Sequence, residues 1–279
     1  MLKKAYIEIT NICNLRCDFC PGTRREQRTM TAGEFAILAK KLRPHAAYFY
    51  LHVMGEPLLH PQLSEILAAC AEVGAKACVT TNGTLLERRG ELLLSAKALH
   101  KVSVSLHSME GNGVEELRTY LESVWNFAET AAAQGIICAL RLWNIGGGEQ
   151  RNEEILAFLE EKLGVHPLQC GELRRGSWKL KEKLYLEQAE RFEWPDLSAP
   201  ESSATFCYGL RDQIAVLCDG TVVPCCLDHE GDIPLGNLFD EELSDILESE
   251  RAKAMYDGFS SRKPTEELCR RCGYARRFN

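Results

Sequence analysis

Three cysteines near the start of the chain, Cys13, Cys17 and Cys20, are spaced C-x3-C-x2-C and fall within eight residues. Three thiolates held that close suit a [4Fe–4S] cluster in which one iron has no protein ligand. An open iron can bind a small molecule, so such a site can do chemistry besides passing electrons. Structural zinc sites want four ligands, commonly in paired C-x2-C units, and match this triplet poorly. A second set lies far downstream. Cys207 is followed by twelve residues, Gly220, four residues and Cys225, and Cys269 and Cys272 form a C-x2-C pair. Four thiolates saturate a [4Fe–4S] cluster, which then exchanges electrons without readily binding substrate. The same four also suit a tetrahedral zinc ribbon. Cys226, beside Cys225, is an alternative ligand. With Cys70, Cys78, Cys138, Cys170 and Cys218 it otherwise reads as a buried thiol, since cysteine packs as a small hydrophobe.

Phe19 completes the pattern C-x3-C-x-aromatic-C, and Met54-Gly55-Glu56-Pro57 follows the next apolar run. In these two elements, in this order, the sequence resembles the radical S-adenosylmethionine (SAM) enzymes. The resemblance implies SAM bound through its amino and carboxylate groups to the open iron. It also implies one-electron cleavage of SAM to methionine and a 5′-deoxyadenosyl radical. Phe19 would sit within the cluster motif, and Gly55, Glu56 and Pro57 at the methionyl amino group, with Glu56 fixing it by a charge-assisted hydrogen bond. Ser105 and Arg141 fall where such enzymes often hold the SAM carboxylate and ribose. The protein positions the reactants while the cofactors carry the hard chemistry. The C-terminal cysteines resemble the auxiliary-cluster unit called SPASM in its long form and twitch in its short form. The chain lacks the extended C-x2-C-x5-C-x3-C run, so the short form fits better, with one [4Fe–4S] cluster on Cys207, Cys225, Cys269 and Cys272. Its Gly-x4-Cys spacing favours Cys225 over Cys226. The expected cofactors are two [4Fe–4S] clusters and SAM, and the expected electron donor is a flavodoxin or ferredoxin.

The elements that must position these groups alternate, strand and helix, to about residue 165, the pattern of repeated βα units. Strands are expected over 6–10, 47–53, 75–80, 101–105 and 136–143. Helices are expected from the Thr31/Glu34 capping box to Leu42, from Pro61 to Val73, and over 85–94, 113–134 and 152–163. Gly146-Gly147-Gly148 lacks any phosphate-loop context and reads as a flexible connection. A sixth strand is expected over 165–170 and a partly helical bridge over 178–194, and Pro195 and Pro200 among serines mark a linker. Beyond it, strands over 214–217 and 221–225 flank the hairpin signal Asp219-Gly220, with a helix over 240–256. The fold class is α/β. A partial (β/α)6 barrel with its bridging segment occupies residues 1–200, and a small β-hairpin-plus-helix auxiliary-cluster domain occupies 201–279.

Strand alternation puts Tyr50, His52 and Met54 on one face with Glu56. It does the same for Ser103, Ser105 and His107, for Ala139, Arg141 and Trp143, and for Glu8 with Tyr6 and Thr10. An interior lined by Glu8, His52, Ser105, His107 and Arg141 is too polar for a dry core, and buried charge demands partners. His52, His107 and Glu8 are the candidate proton acceptors. Each histidine reads equally well as a hydrogen-bonded structural residue. Arg24, Arg25 and Arg28 flank the first cysteines, and Arg270, Arg271, Arg276 and Arg277 flank the last. Arginine matches carboxylate or phosphate bidentately, so these are either solvated surface charge or contacts to an anionic substrate.

The chain has 279 residues, enough for one barrel and a small appendage. No apolar run approaches the roughly 18 residues that span a bilayer, and Glu8 interrupts the only N-terminal apolar stretch, which is too short for a secretory signal. The expectation is a cytoplasmic protein with no membrane partner. In that setting 13 cysteines in clustered spacings point to metal and not to disulfides. A net charge of −7 excludes a bulk nucleic-acid binder, though not a nucleotide substrate. The leading expectation is a radical SAM enzyme that abstracts hydrogen from a small polar substrate, a sugar, nucleoside or nucleotide, anionic or phosphorylated. Oxidation as in dehydrogenases, or bond cleavage as in the queuine-salvage lyases, would follow. Peptide modification is a second reading, weakened by the lack of room for a peptide-recognition segment before Tyr6 or after Cys272. A non-catalytic iron–sulfur electron carrier is a third, and it has no need of a SAM site.

Overall fold

The computed structural model describes residues 2–110, 112, 116–148, 151–203 and 205–278. Strand β1 (Lys4–Ile7) leads through the cysteine loop to helix α1 (Ala32–Leu42). Thr31 Oγ1 accepts from Glu34 N at 3.1 Å and Glu34 accepts from Thr31 N at 2.7 Å, the capping box expected from sequence. Its face of Phe35, Leu38, Ala39 and Leu42 is buried, each large side chain contributing about 1.5–3 kcal/mol. Alternation continues through β2 (Tyr48–Tyr50), α2 (Leu63–Glu72), β3 (Lys76–Thr81), α3 (Leu86–Leu94), β4 (Leu99–Ser105), α4 (Leu117–Ala133), β5 (Ile137–Ile145) and α5 (Asn152–Leu163). The expected start of the fourth helix at Gly113 lies outside the described residues. No helix among the described residues is long and apolar enough to cross a membrane.

The stretch after α5 departs from expectation. Residues 165–170 are not a strand. Pro167 opens a 3-10 turn (Pro167–Gln169), with Leu168 N donating to His166 Nδ1 at 3.3 Å. The partly helical bridge is instead three strands, β6 (Glu172–Arg174), β7 (Ser177–Lys181) and β8 (Leu184–Glu190). The buried Leu180, Leu184 and Leu186 account for it, since this spacing serves the inner face of paired strands. The sixth parallel strand of the barrel is β8, which pairs with β5, and β7 and β6 add antiparallel to it.

The C-terminal segment supplies β9 (Gln213–Val216), β10 (Thr221–Val223), β11 (Gly236–Asn237), α6 (Leu243–Glu248), α7 (Glu250–Ser260) and α8 (Glu267–Arg270). The single helix expected over 240–256 breaks at Ser249, whose hydroxyl caps α7 by accepting from Ala252 N at 3.3 Å. β9 pairs parallel with β1, Lys4 opposite Gln213. The sheet therefore runs across residue 200 in the order β11-β10-β9-β1-β2-β3-β4-β5-β8-β7-β6 and does not close on itself. The partial (β/α)6 arrangement is β1 to β5 plus β8, parallel throughout.

Candidate functional site

The loops that follow the parallel strands converge on one cavity of about 660 Å³. This is where parallel α/β sheets place their ligands. Cys13, Cys17 and Cys20 lie in its wall on the loop after β1. Gly55-Glu56 stands after β2 and is tied to the root of that loop, Glu56 N donating to Ile12 O at 2.9 Å. Gly55 has φ +76°, and a Cβ there would lie 2.3 Å from Thr10 O, so only glycine allows the two backbones to approach so closely. Pro57 opens a 3-10 turn behind Glu56 and is buried.

Glu56 lines the cavity, but its carboxylate already has three protein donors. Thr81 Oγ1 and Leu58 N reach one oxygen at 2.8 and 2.9 Å, and Asn82 N reaches the other at 2.7 Å. A carboxylate has about four acceptor positions, which leaves about one for a ligand. Burial raises the Glu56 pKa, against the three hydrogen bonds. Two asparagines that sequence reasoning missed serve the thiols. Asn82 Nδ2 stands 4.0 Å from Cys13 Sγ, and Asn112 Nδ2 donates to Cys17 Sγ at 3.5 Å. Donors to cluster sulfurs tune potential. The Asn82-Gly83 pair carried only a turn signal. Burial, ahead of every other cause, raises all seven candidate ligand thiols, Cys17 to about 12 and Cys272 to about 11. In the metal-free chain they keep their protons, which cluster loading must displace.

The three candidate proton acceptors have different surroundings. Glu8 is fully buried and does not line the cavity. Arg25 grips it bidentately at 2.7 and 2.8 Å, and Met54 N and Cys218 N donate to it at 3.1 and 3.2 Å. It is a clamp, with no oxygen turned to the cavity. His107 packs its ring on Phe19, centroids 4.5 Å apart, and its Nδ1 lies 3.1 Å from Arg141 O and 3.3 Å from Trp143 N. Burial lowers its pKa to about 4. His52 lines the cavity with a buried Nδ1 that has no hydrogen-bond partner. Burial, then Arg141 and Lys4, hold it down to about 3. Ser105 and Arg141 also line the cavity, Arg141 held through Nε by Glu187 at 3.1 Å.

None of the seven arginines that flank the cysteines lines the cavity. Arg24, Arg25, Arg28, Arg270, Arg271 and Arg276 pair with Glu230, Glu8, Glu34, Glu201, Glu267 and Glu193, and Arg277 donates to Glu190 O. The cavity's cations come instead from Lys4, Arg16, Arg141 and Arg191. Arg191 and Trp194, after β8, also fasten the cysteine loop, donating to Asp18 O and Phe19 O at 2.9 Å each.

A second, smaller cavity is walled by Cys207, Cys225, Cys269 and Cys272 amid Pro224, Ile233, Phe259 and Leu268. Cys226 faces the other way, into the large cavity. No three described His, Cys, Asp or Glu side chains converge closely enough to hold a single metal ion.

The profile of the radical SAM superfamily matches residues 7–160, more than half the chain. This chain belongs to the radical SAM superfamily. An iron–sulfur cluster-binding domain profile, SPASM, matches residues 207–273. A probable GTP 3′,8-cyclase of Methanocella arvoryzae is 24% identical over 86% of this chain and 87% of its own length. The PqqA peptide cyclase of a Methylobacterium species is 26% identical over 95% of this chain and 77% of its own. Among solved structures, BtrN in complex with AdoMet and 2-DOIA superposes with a TM-score of 0.63 at 18% identity, covering 98% of this chain and 93% of that one. The protein is therefore a radical SAM enzyme whose cofactors are SAM and [4Fe–4S] clusters. Its residues fit them. Three thiols on one loop leave one iron for SAM, Gly55 lets the second motif seat against that loop, and four thiols surround an apolar void.

Proposed function

We propose that this radical SAM enzyme abstracts hydrogen from a carbon of a small polar substrate, a sugar, nucleoside or nucleotide, with oxidation or bond cleavage following. The carrying observation is the cavity. Cys13, Cys17 and Cys20 lie in its wall, and so do Gln213, Leu227 and Tyr274, which also wall the second thiol cavity. A substrate held here lies between the two clusters. When bound, the N-terminal cluster and SAM supply the 5′-deoxyadenosyl radical, and Ser105 and the Gly55–Pro57 element are the residues placed to hold SAM. The barrel wall holds the reacting carbon close and oriented, as hydrogen transfer requires. His107 lines the cavity and is the candidate proton acceptor there. The cavity's volume of about 660 Å³ must hold cluster, SAM and substrate together, which favours a compact substrate. Relatives named GTP 3′,8-cyclase support a nucleotide among the candidates. Four cysteines support the short, one-cluster form of the C-terminal unit, and the reductant is of the flavodoxin or ferredoxin class.

Peptide modification is the second reading, favoured by the alignment with the PqqA peptide cyclase along nearly the whole chain. The two separate by anaerobic incubation of the reconstituted, reduced protein with SAM and with sets of nucleotides, amino sugars and peptides, read by mass spectrometry. The small-molecule reading expects 5′-deoxyadenosine formation stimulated by a nucleotide or sugar, with deuterium from the reacting carbon recovered in it. Stimulation by a peptide alone would show that reading to be wrong.

A further inference from the structure

The floor of the large cavity carries more cations than carboxylates. Lys4, the first residue of β1, lines the cavity with its ammonium half-buried. Its hydrogen-bond partner is Tyr6 Oη at 3.0 Å, and among the described residues it makes no ion pair. The nearby Asp212 is engaged by the exposed Lys3 at 2.7 Å. Across the floor, Arg141 shares a single carboxylate, Glu187, with Lys101 and Arg174, at 3.1, 3.1 and 3.9 Å. Its two terminal guanidinium nitrogens make no hydrogen bond among the described residues. His52 lines the same cavity within electrostatic reach of Lys4 and Arg141, and its buried Nδ1 has no hydrogen-bond partner. Desolvation lowers the Lys4 pKa, with Arg141 adding to it. Buried cations and donors without acceptors are costly unless something fills the gap.

We propose that Lys4, with Tyr6, His52 and Arg141, forms an oxyanion pocket on the barrel floor that holds a carboxylate or phosphate of the substrate. This rests on the small-molecule reading above and names the class. The carboxylate of SAM is not the occupant, because SAM belongs at the cysteine loop. That loop leaves β1 beyond Ile7, three residues past Lys4, which is about 10 Å at ~3.3 Å per residue. An anion on the floor anchors the far end of a substrate whose reacting carbon then points up toward the loop.

The test uses the reconstituted holoenzyme under anaerobic conditions at low salt, with equilibrium dialysis against labelled inorganic phosphate and, separately, labelled acetate. Saturable binding of one anion per chain is expected. Phosphate alone assigns a phosphorylated substrate, acetate alone a carboxylated one, and binding of both the shared oxyanion chemistry. Lys4→Met should weaken binding about ten-fold, a charged hydrogen bond's worth. Lys4→Arg should retain it, and the neighbouring Lys3→Met should leave it unchanged. Tyr6→Phe, which keeps the ring and removes the hydroxyl holding Nζ, should weaken it a few-fold and serves if the Lys4 variant does not fold. Absence of saturable binding, or Lys4→Met and Tyr6→Phe binding like wild type, overturns the pocket. So does displacement of the anion by SAM, which would give the pocket to the SAM carboxylate. The substrate incubations above, run on the same preparation, keep the two claims apart. Stimulation by a nucleotide or sugar without anion binding removes the pocket alone, and anion binding with stimulation by a peptide alone removes the small-molecule reading while the pocket stands.

Discussion

At the scale of single residues, Cys13, Cys17, Phe19 and Cys20 line one cavity together, and the side chains read from strand parity divide. Cys13, Cys17, Cys20 and Phe19 share one loop because their chemistry is local in sequence. Parity gave Glu8 and His52 the same inward direction, yet Glu8 is sealed by Arg25, a partner 17 residues away that no periodicity announces. Glu56 shows the same limit. Sequence similarity directs its carboxylate at SAM, while the fold supplies Thr81, Asn82 and Leu58 as donors. Glu56→Gln is thus expected to lower stability by about 1–3 kcal/mol, because an amide nitrogen would face an N–H donor. It should also weaken SAM binding, with thermal unfolding and calorimetry measured together. An unchanged melting temperature with lost SAM affinity would return the carboxylate to SAM. His107 makes a pH prediction. Its folded pKa is about 4 against 6.5 unfolded, so between those values the unfolded chain binds a proton the native state refuses, and stability falls as pH falls. The loss from this one group approaches about 3 kcal/mol by pH 4 and vanishes above pH 6.5. Urea unfolding of wild type and His107→Gln at neutral and mildly acidic pH should show a shallower acid loss in the variant. Parallel curves would mean the buried ring does not carry the effect.

At the scale of elements, β1 to β5 and their helices were legible because apolar runs, the Thr31 capping box and turn residues agreed. The sixth strand was misplaced because Pro167 turns an apolar stretch away from the sheet, while β8 ends in Glu187, Gln188, Ala189 and Glu190, of which Glu and Ala are disfavoured in strands. Neighbouring strands override that preference, and Glu187 finds Lys101 and Arg141 across them. The break at Ser249 is a capping signal inside what reads as one amphipathic helix. Glu8 joins three such elements, the end of β1, the Met54 turn after β2 and the Cys218 turn of the C-terminal hairpin, with Arg25 adding a bond to His229 O at 2.7 Å. Breaking one half of a buried ion pair strands the other charge. Arg25→Met should therefore cost about 3–5 kcal/mol, and the double variant Glu8→Leu/Arg25→Met should recover much of it. Denaturant unfolding of the three proteins checks this. An Arg25→Met protein as stable as wild type would show that Glu8 is not the clamp.

At the scale of the whole molecule, the pairing of β9 with β1 was hidden from the sequence, since 209 residues separate Lys4 from Gln213 and nothing local encodes the contact. Its consequence is the placement of Cys225 and Cys226. They follow β10 in the same hairpin and face opposite sides of the wall formed by Gln213, Leu227 and Tyr274. Cys225 joins Cys207, Cys269 and Cys272, whose charges would all bear on it. Cys226 meets Tyr6 and Lys4 in the substrate space. The two stand in the turn that Asp228 N closes on Cys225 O at 3.2 Å, so one thiol cannot replace the other without rebuilding that turn. With two [4Fe–4S] clusters the reconstituted wild type should hold about eight irons per chain. Cys225→Ala should lose about four of them and keep the SAM-linked cluster, whereas Cys226→Ala should keep about eight. Iron and sulfide analysis with Mössbauer spectroscopy of the three proteins gives the answer. Equal iron in Cys225→Ala and wild type, or loss on Cys226→Ala, would exchange the two roles and put the auxiliary cluster on the substrate side of the wall. A wild-type protein that carried zinc at the C-terminal set would remove that cluster and leave the substrate cavity with one electron source.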